Sequence, residues 1–333
     1  MAKLRFMSES TKSLPDYIEV PTSDRDRHLC VPGDCAGMRL DQALARLLPE
    51  FSRNRLQEWM RSGHVTVDGG PASAKAKVWG GEAVVVATQS LPSSSPYAAE
   101  DIPVTVIFED AHILVIDKPA GLVVHPGSGN WNGTLLNALL RHAPALGAVP
   151  RAGIVHRLDK ETSGLLVVAK TIAAQVDLVR QLQARSVTRE YLAVVHGVVA
   201  RDGAVEAPIG RHPVQRTRMA IVAKGKPAKT HYSRVDQGAG WTQLRCRLET
   251  GRTHQIRVHL HSIGHPLIGD PVYGISQRKS TLPALAIAFP RQALHAARLG
   301  LIHPGTGQGL VWTSTPPADM AELITLLKHG QST

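Results

Sequence analysis

The apolar run Leu165-Leu-Val-Val-Ala169 narrows the fold of this chain more than any other stretch. It is rich in Val and Leu, has the length of a strand, and is bounded by Gly164 and Lys170, so it reads as a buried strand. A polar cluster of His156, Arg157, Asp159, Lys160 and Glu161 precedes it, with a turn expected at Thr162-Ser-Gly164. A carboxylate among cations, on a loop braced by a buried strand, is a common way to hold a functional group rigid. An ordinary ion-paired turn has the same pattern, and these residues alone do not choose between the two.

Charge supplies the next constraint. The chain has 333 residues, room for one large domain and a small one, and carries 38 Lys+Arg against 27 Asp+Glu, a net +11. An excess of that size favours a polyanion partner, nucleic acid before an anionic membrane surface. Cys30, Cys35 and Cys246 form neither a disulfide framework nor a zinc signature, which points to a reducing cytoplasm. The N-terminus has no apolar signal-peptide core, and no apolar stretch has membrane-spanning length. The expectation is a soluble cytoplasmic protein with no membrane partner.

Residues 1–35 mix Ser, Asp, Arg and Pro without periodicity and read as a mobile arm. Leu40, Ala43, Leu44, Leu47 and Leu48 recur at helical spacing, and Pro49 closes that helix. Ser52 is a good N-cap for a second helix through Leu56, Trp59 and Met60, ending at Ser62-Gly63. His64–Gly70 reads as a strand entering a turn, and Val78–Val86 as another strand. Residues 36–88 therefore form a small basic module carrying Arg39, Arg46, Arg53, Arg55, Arg61, Lys75 and Lys77. Residues 89–101, with Ser-Leu-Pro-Ser-Ser-Ser-Pro, read as a linker.

In residues 102–333, strands are expected at Ile113–Ile116, Thr188–Val195, Lys229–Val235, Thr242–Leu248 and Leu294–Ile302. Helices are expected at Leu135–Leu140, from a Thr171 cap through Leu182, at Thr253–Ile263 and at Met320–Leu327. Many strands with interspersed helices imply an α+β domain on a mixed, largely antiparallel sheet.

Three constellations carry candidate chemistry: His156/Arg157/Asp159, Arg189-Glu-Tyr191 and Glu249-Thr-Gly-Arg-Thr-His-Gln-Ile-Arg257. There is no Gly-x-Ser-x-Gly elbow, so a Ser/His/Asp hydrolase is unsupported. His254, His259, His261 and His265 invite a metal reading, but there is no His-Glu-x-x-His and their spacing spreads them over different faces. A dinucleotide fold would need a Gly-x-Gly-x-x-Gly after a strand, which is absent.

His156-Arg-Leu-Asp-Lys-Glu-Thr-Ser-Gly164 resembles the signature of the RluA family of pseudouridine synthases. Asp117-Lys-Pro-Ala-Gly-Leu-Val-Val-His-Pro126, Arg189-Glu-Tyr-Leu192, Leu248–His259 and His265–Gly274 match further blocks in that family's order. The resemblance runs from about Gly37 to the C-terminus. Residues 36–88 are similar to the RNA-binding domain first seen in ribosomal protein S-four, whose helices present cations to phosphates. Pro150–Val155 and Gly210–Pro213 resemble the branch that modifies a hairpin, helix 69, of 23S ribosomal RNA.

The resemblance implies a cofactor-free isomerase without a metal, a monomer whose partner is large-subunit ribosomal RNA. It makes Asp159 the group that acts at the ribose, by attack on the anomeric carbon or removal of a ribose proton. It implies that Arg252 pairs with Asp159, favouring the carboxylate. It also places Tyr191 against the detached uracil, with a hydroxyl able to help remove the C5 proton, and Ile256 as an apolar contact. Arg157 would fill the gap left by a flipped nucleotide or clamp a phosphate. His156, Lys118, Arg39, Arg53 and Arg55 complete the expected RNA-facing set, with Lys118 and Pro119 shaping the floor of the site. Competing readings are a non-catalytic RNA-binding assembly factor and a hydrolytic N-glycosidase, which would release free uracil.

Overall fold

The computed structural model describes residues 26–49, 51, 53–88, 97–126, 132–215, 217–275 and 282–329. The chain divides into two compact units, Met1–Leu47 with Arg53–Ser90, and Leu48–Ser52 with Leu91–Thr333.

The smaller unit pairs β1 (Arg27–Cys30), β2 (Val65–Val67), β3 (Gly70–Pro71) and β4 (Ala83–Val86) antiparallel in the order β1-β4-β2-β3. Two helices, α1 (Leu40–Leu47) and α2 (Arg53–Arg61), bury Leu40, Ala43, Leu44, Leu56 and Trp59 with Val65, Val84 and Val86. The apolar spacing read from the sequence is the face these helices bury. Two expectations need correction. The arm does not extend to residue 35: β1 is a sheet strand, and Val31 and Cys35 are core residues. Val78–Val86 is not one strand, because Gly80 and Gly81 sit at φ +100 and +94, outside strand geometry, and pairing starts at Ala83. The Ser52 cap lies outside the described residues.

The larger unit carries one nine-stranded sheet. Its strands are β5 (Thr105–Glu109), β6 (Ile113–Lys118), β7 (Ser163–Ala169), β8 (Thr188–His196), β9 (Gly203–Glu206), β12 (Lys229–Gly238), β13 (Trp241–Leu248), β14 (Leu294–Ile302) and β15 (Gly309–Thr313). The order is β5-β6-β7-β14-β8-β13-β12-β9, with β15 on the far half of β14. Among the described strands of this sheet only β7 and β14 run parallel, through His295↔Ser163 and Ala296↔Gly164. A separate hairpin joins β10 (Ile209–Arg211) to β11 (Met219–Ile221).

Side-chain alternation splits the sheet into two apolar faces. One face, with Leu114, Ile116, Leu166, Val168, Tyr191 and Ala193, packs on α3 (Leu135–His142) and α5 (Gln255–Ser262). The other, with Ile113, Val115, Leu165 and Val167, packs on Ala174 and Leu178 of α4 (Ile172–Gln183). Val194 and Trp241 pack against α6 (Ala284–Ile287) and α7 (Ala318–His329) through Ala286, Met320, Leu323 and Leu327. Thr171 caps α4 by accepting from the Ala174 N–H at 3.1 Å.

The turn before β7 lies earlier than expected. Ser163 and Gly164 already belong to the strand, and the reversal is Asp159–Thr162, closed by the Thr162 N–H to the Asp159 carbonyl at 3.0 Å. Gly164 is needed for close approach: a Cβ there would stand 2.4 Å from the Ala296 carbonyl oxygen, where β7 meets β14. The end of the expected linker is fastened rather than free. Asn137 Nδ2 donates to the Ala98 carbonyl at 2.8 Å, and the Glu100 N–H to the Asn137 carbonyl at 3.1 Å. Among the described residues no helix is long and apolar enough to cross a membrane.

Candidate active site

The Asp159–Thr162 turn opens into a cleft of about 1220 Å³ lined by residues from both sides of the central strands, among them Arg157, Asp159, Arg189, Tyr191, Ile256 and Arg257. The turn is held by its own backbone. Lys118 Nζ, fully buried at the end of β6, donates to the carbonyls of Pro119 (2.6 Å), Leu122 (3.0 Å) and Lys160 (3.0 Å). Burial pushes the Lys118 amine down to about 7, and the three carbonyls match the three protons of its ammonium form. Arg291 Nη1 donates to the Glu161 carbonyl at 3.1 Å, and Gln292 Nε2 to Thr162 Oγ1 at 3.1 Å. Arg291 is in turn gripped at 2.7 and 2.9 Å by the Asp319 carboxylate on α7.

The side chain of Asp159, 17% exposed, accepts from Arg257 Nη1 at 3.1 Å. Arg257, on α5, spends its other edge on Asp270, with Nε–Oδ2 at 2.8 Å and Nη2–Oδ1 at 2.9 Å. Asp270 is fully buried and also accepts the Val272 and Tyr273 N–H groups at 2.9 and 3.0 Å. Burial would lower the Arg257 pKa, but hydrogen bonding and charge from Asp270, then Asp159, outweigh it and raise it. The result is an array, Asp270–Arg257–Asp159, that leaves the second oxygen of Asp159 without a hydrogen bond among the described residues.

The expected partner was Arg252, and the structure corrects this. Helix α5 begins at Gln255, not at Thr253, and its N-cap is His254 in left-handed geometry at φ 56. Arg252 therefore stays in the turn, its Nε donating to the Pro227 carbonyl at 3.2 Å, while Arg257 faces the carboxylate. A sequence signal for Arg257 existed: a cation between Ile256 and Val258 on a helix buried all round must find a carboxylate.

The RNA pseudouridylate synthase family model matches residues 112–262, and the S4 domain model residues 38–84. Ribosomal large subunit pseudouridine synthase D of Nitrosomonas europaea is 59% identical over 301 residues, covering 90% of this chain and 88% of that protein. The chain belongs to the RNA pseudouridylate synthase family. The Pseudomonas aeruginosa protein of the same name is 52% identical over 306 residues, covering 90% and 95%. Among solved structures, human RNA Pseudouridylate Synthase Domain Containing 4 superimposes with a TM-score of 0.53 at 25% identity, over 67% of this chain and 93% of that one. The protein is an RNA pseudouridine synthase with an S4 domain.

The remaining expected residues fall into three groups. Tyr191 and Ile256 reach the cleft wall and are buried, while Arg157 is exposed on its lining. Burial pushes the Tyr191 hydroxyl up to about 12, with Arg189 opposing and Asp159 adding to the rise, so at neutral pH it is a phenol and not a phenolate. Lys118 braces the fold, and half-buried His156 lines the cleft while also bonding to β7. His156, expected among the RNA contacts, accepts the Val167 N–H of β7 at 3.2 Å through Nε2. Its pKa is lowered to about 3, chiefly by burial and then by Arg189, so it stays neutral. In the small unit, Arg39 and Arg53 both donate to Asp41, which is fully buried and was not anticipated. Arg39 Nε and Nη2 lie 3.1 and 2.9 Å from it, and Arg53 Nε and Nη2 3.0 and 2.8 Å. Arg55 stacks over Trp59 at 4.9 Å. Of the four histidines weighed for metal, His259 bonds Thr230 Oγ1 and the Ala207 carbonyl, and His265 the His196 carbonyl.

Proposed function

We propose that this enzyme converts uridine to pseudouridine in large-subunit ribosomal RNA, in the helix-69 hairpin, with Asp159 acting at the ribose. The observation that carries the assignment is the Asp270–Arg257–Asp159 array on the wall of a cleft that admits a nucleotide. Attack on the anomeric carbon or removal of a ribose proton needs a carboxylate at this position, and Arg257 is the cation beside it. The bond from N1 to the sugar breaks and uracil leaves as an anion. The ring turns, C5 bonds to the sugar, the C5 proton departs and N1 takes up a proton. No electrons are gained or lost overall.

Tyr191, neutral and fixed in β8, offers a flat apolar surface for the uracil ring between the two bond events. A paired base must leave its stack to reach Asp159, and exposed Arg157, two residues away, is placed to occupy the gap. The Arg39–Asp41–Arg53 cluster fixes two half-exposed guanidinium groups for phosphate contact. The matched segments, 38–84 and 112–262, lie inside the small module, which β1 extends back to Arg27, and the catalytic part at 102–333. The nine-tenths coverage by relatives named for the large ribosomal subunit supports the substrate.

The test uses large-subunit ribosomal RNA labelled with tritium at uridine C5. The wild type is expected to release tritium and Asp159→Ala to release none. Free uracil among the products would instead make the enzyme a glycosidase, and activity in Asp159→Ala would remove Asp159 from the reaction.

A further inference from the structure

Arg189 is 7% exposed and lines the cleft, on the same face of β8 as Tyr191. The only hydrogen bond of its side chain among the described residues is a long one, Nη2 to the Glu249 carbonyl at 3.5 Å, and its Nε has no partner there. The two other buried arginines among the described residues are well paired, Arg257 by Asp270 and Asp159, and Arg291 by Asp319. Among the described residues no carboxylate forms such a pair with Arg189. The carboxylate on the adjacent turn, Glu249, is engaged elsewhere, with His231 at 2.6 Å and Arg185 at 3.1 Å. A buried, under-bonded cation is costly in a free protein, and its retention at a binding cleft calls for an anion that arrives with the ligand.

Gly251 provides the second observation. Its backbone is not in the left-handed region, so any residue could adopt its conformation. The only atoms a Cβ would meet there are Nη1 of Arg189 at 2.7 Å and Cζ at 3.8 Å. A side chain there would crowd and displace the end of the guanidinium, so the glycine leaves that end of Arg189 uncovered. A glycine that lets a backbone or ligand approach closely is a recurrent feature of phosphate-contacting turns.

We propose that Arg189 and Gly251 form a receptor for one phosphodiester of the RNA strand that carries the target uridine. The receptor lies earlier along β8 than the level of the catalytic turn, since Arg189 pairs with Leu299 whereas β7 starts opposite His295, which pairs with Leu192. A full positive charge calls for a full negative one, and the planar fork fits two phosphate oxygens, which a neutral uracil carbonyl does not supply. The proposal rests on the RNA-modifying reading, and extends it from the reacting nucleotide to its neighbour along the strand.

The test compares full-length wild type, Arg189→Met and Gly251→Ala on a large-subunit ribosomal RNA transcript. Binding is measured across a salt series, with tritium release in parallel. For Arg189→Met the expected result is a melting temperature at or above that of wild type and a fall in affinity of about tenfold at low salt. The slope of log K against log salt should become shallower by about 0.7, one single-strand phosphate contact. Gly251→Ala, which keeps the charge and covers it, should lose affinity to a comparable degree. Unchanged affinity and slope in both variants would make Arg189 a packing residue. A fall in kcat with unchanged Kd would assign the cation to the uracil ring, and either result overturns the proposal. Failure of the catalytic reading shows separately, as wild-type binding without tritium release.

Discussion

Replacing Arg257 with methionine removes the guanidinium that joins two carboxylates in different surroundings, and the structure separates the two consequences. Asp270 is fully buried and would keep only the Val272 and Tyr273 N–H groups. Stranding a buried charge in this way costs about 3–5 kcal/mol. Asp159 retains access to water at 17% exposure, so its lost pairing adds at most ~1 kcal/mol. The expected destabilisation at pH 7 is therefore about 3–5 kcal/mol, most of it located at Asp270 and not at the reacting group. A cycle with Asp270→Asn tests that location: the double variant should be less destabilised than the sum of the singles by about 2–3 kcal/mol. In the wild type, burial raises the Asp270 pKa, but bonds and charge from Arg257 and the two N–H groups outweigh it and lower it. A depressed folded-state pKa contributes stability above the unfolded value of about 4 and loses it as pH falls through the folded value. In Arg257→Met that depression is largely gone, so urea unfolding should show the gap between wild type and variant shrinking below about pH 4. Tritium release should fall by more than about 100-fold, as loss of an oriented contact to a reacting group implies. A loss below 1 kcal/mol, or a gap that widens in acid, would refute the account.

Other perturbations separate positioning from packing. Asp319→Asn loosens Arg291, which carries the Glu161 carbonyl, and should lower kcat several-fold while the Kd for RNA stays unchanged, read from single-turnover and binding curves. Lys118 has a folded-state pKa lowered to about 7, so it favours unfolding more at neutral than at alkaline pH; wild-type stability should gain from it as pH rises from 7 towards 10, and Lys118→Met should flatten that rise. Asp41→Ala should destabilise the small unit by about 1–3 kcal/mol, since its two arginine partners are half exposed and regain water. It should also weaken RNA binding while leaving kcat at saturating RNA intact. Tyr191→Phe keeps the ring and removes a hydroxyl that is a phenol below about pH 12; if stacking is the role of this residue, measured kcat should fall by less than tenfold.

Long apolar signals in the sequence translated directly into structure. Leu294–Ile302 is a strand at both expected ends, and Leu165–Ala169 is buried throughout because β7 is covered on two faces. Short or edge strands were not legible: β9, β10, β11 and β15 span three to five residues each, and hydrogen-bond partners far along the chain decide their state. At the site, Asp159 stood out because the signature around it is contiguous. Its partner did not, because the choice between Arg252 and Arg257 depends on where a helix begins. That point is set by His254 adopting left-handed geometry, which no capping preference announces. Asp41 was hidden for a related reason: an acidic residue in a first helical turn reads as a solvated dipole partner until two arginines are seen to close over it.

The fastening of the catalytic turn shows why the functional unit is longer than the segment that the family model matches. That segment ends at residue 262, yet the Asp159–Thr162 turn depends on Arg291 and Gln292, and the Arg257 fork on Asp270. Strand β14, which begins at Leu294, stands between β7 and β8 and so joins the strand after Asp159 to the strand that carries Tyr191. Without β14 those two strands have no common neighbour, and the spacing between carboxylate and tyrosine is undefined. Helix α7 then acts at one remove, through Asp319 and Arg291, on the carbonyl two residues beyond Asp159. Each of these contacts falls on a backbone carbonyl, a hydroxyl or a second carboxylate. None bonds the second oxygen of Asp159, so the same residues that make the turn rigid leave that oxygen free among the described residues.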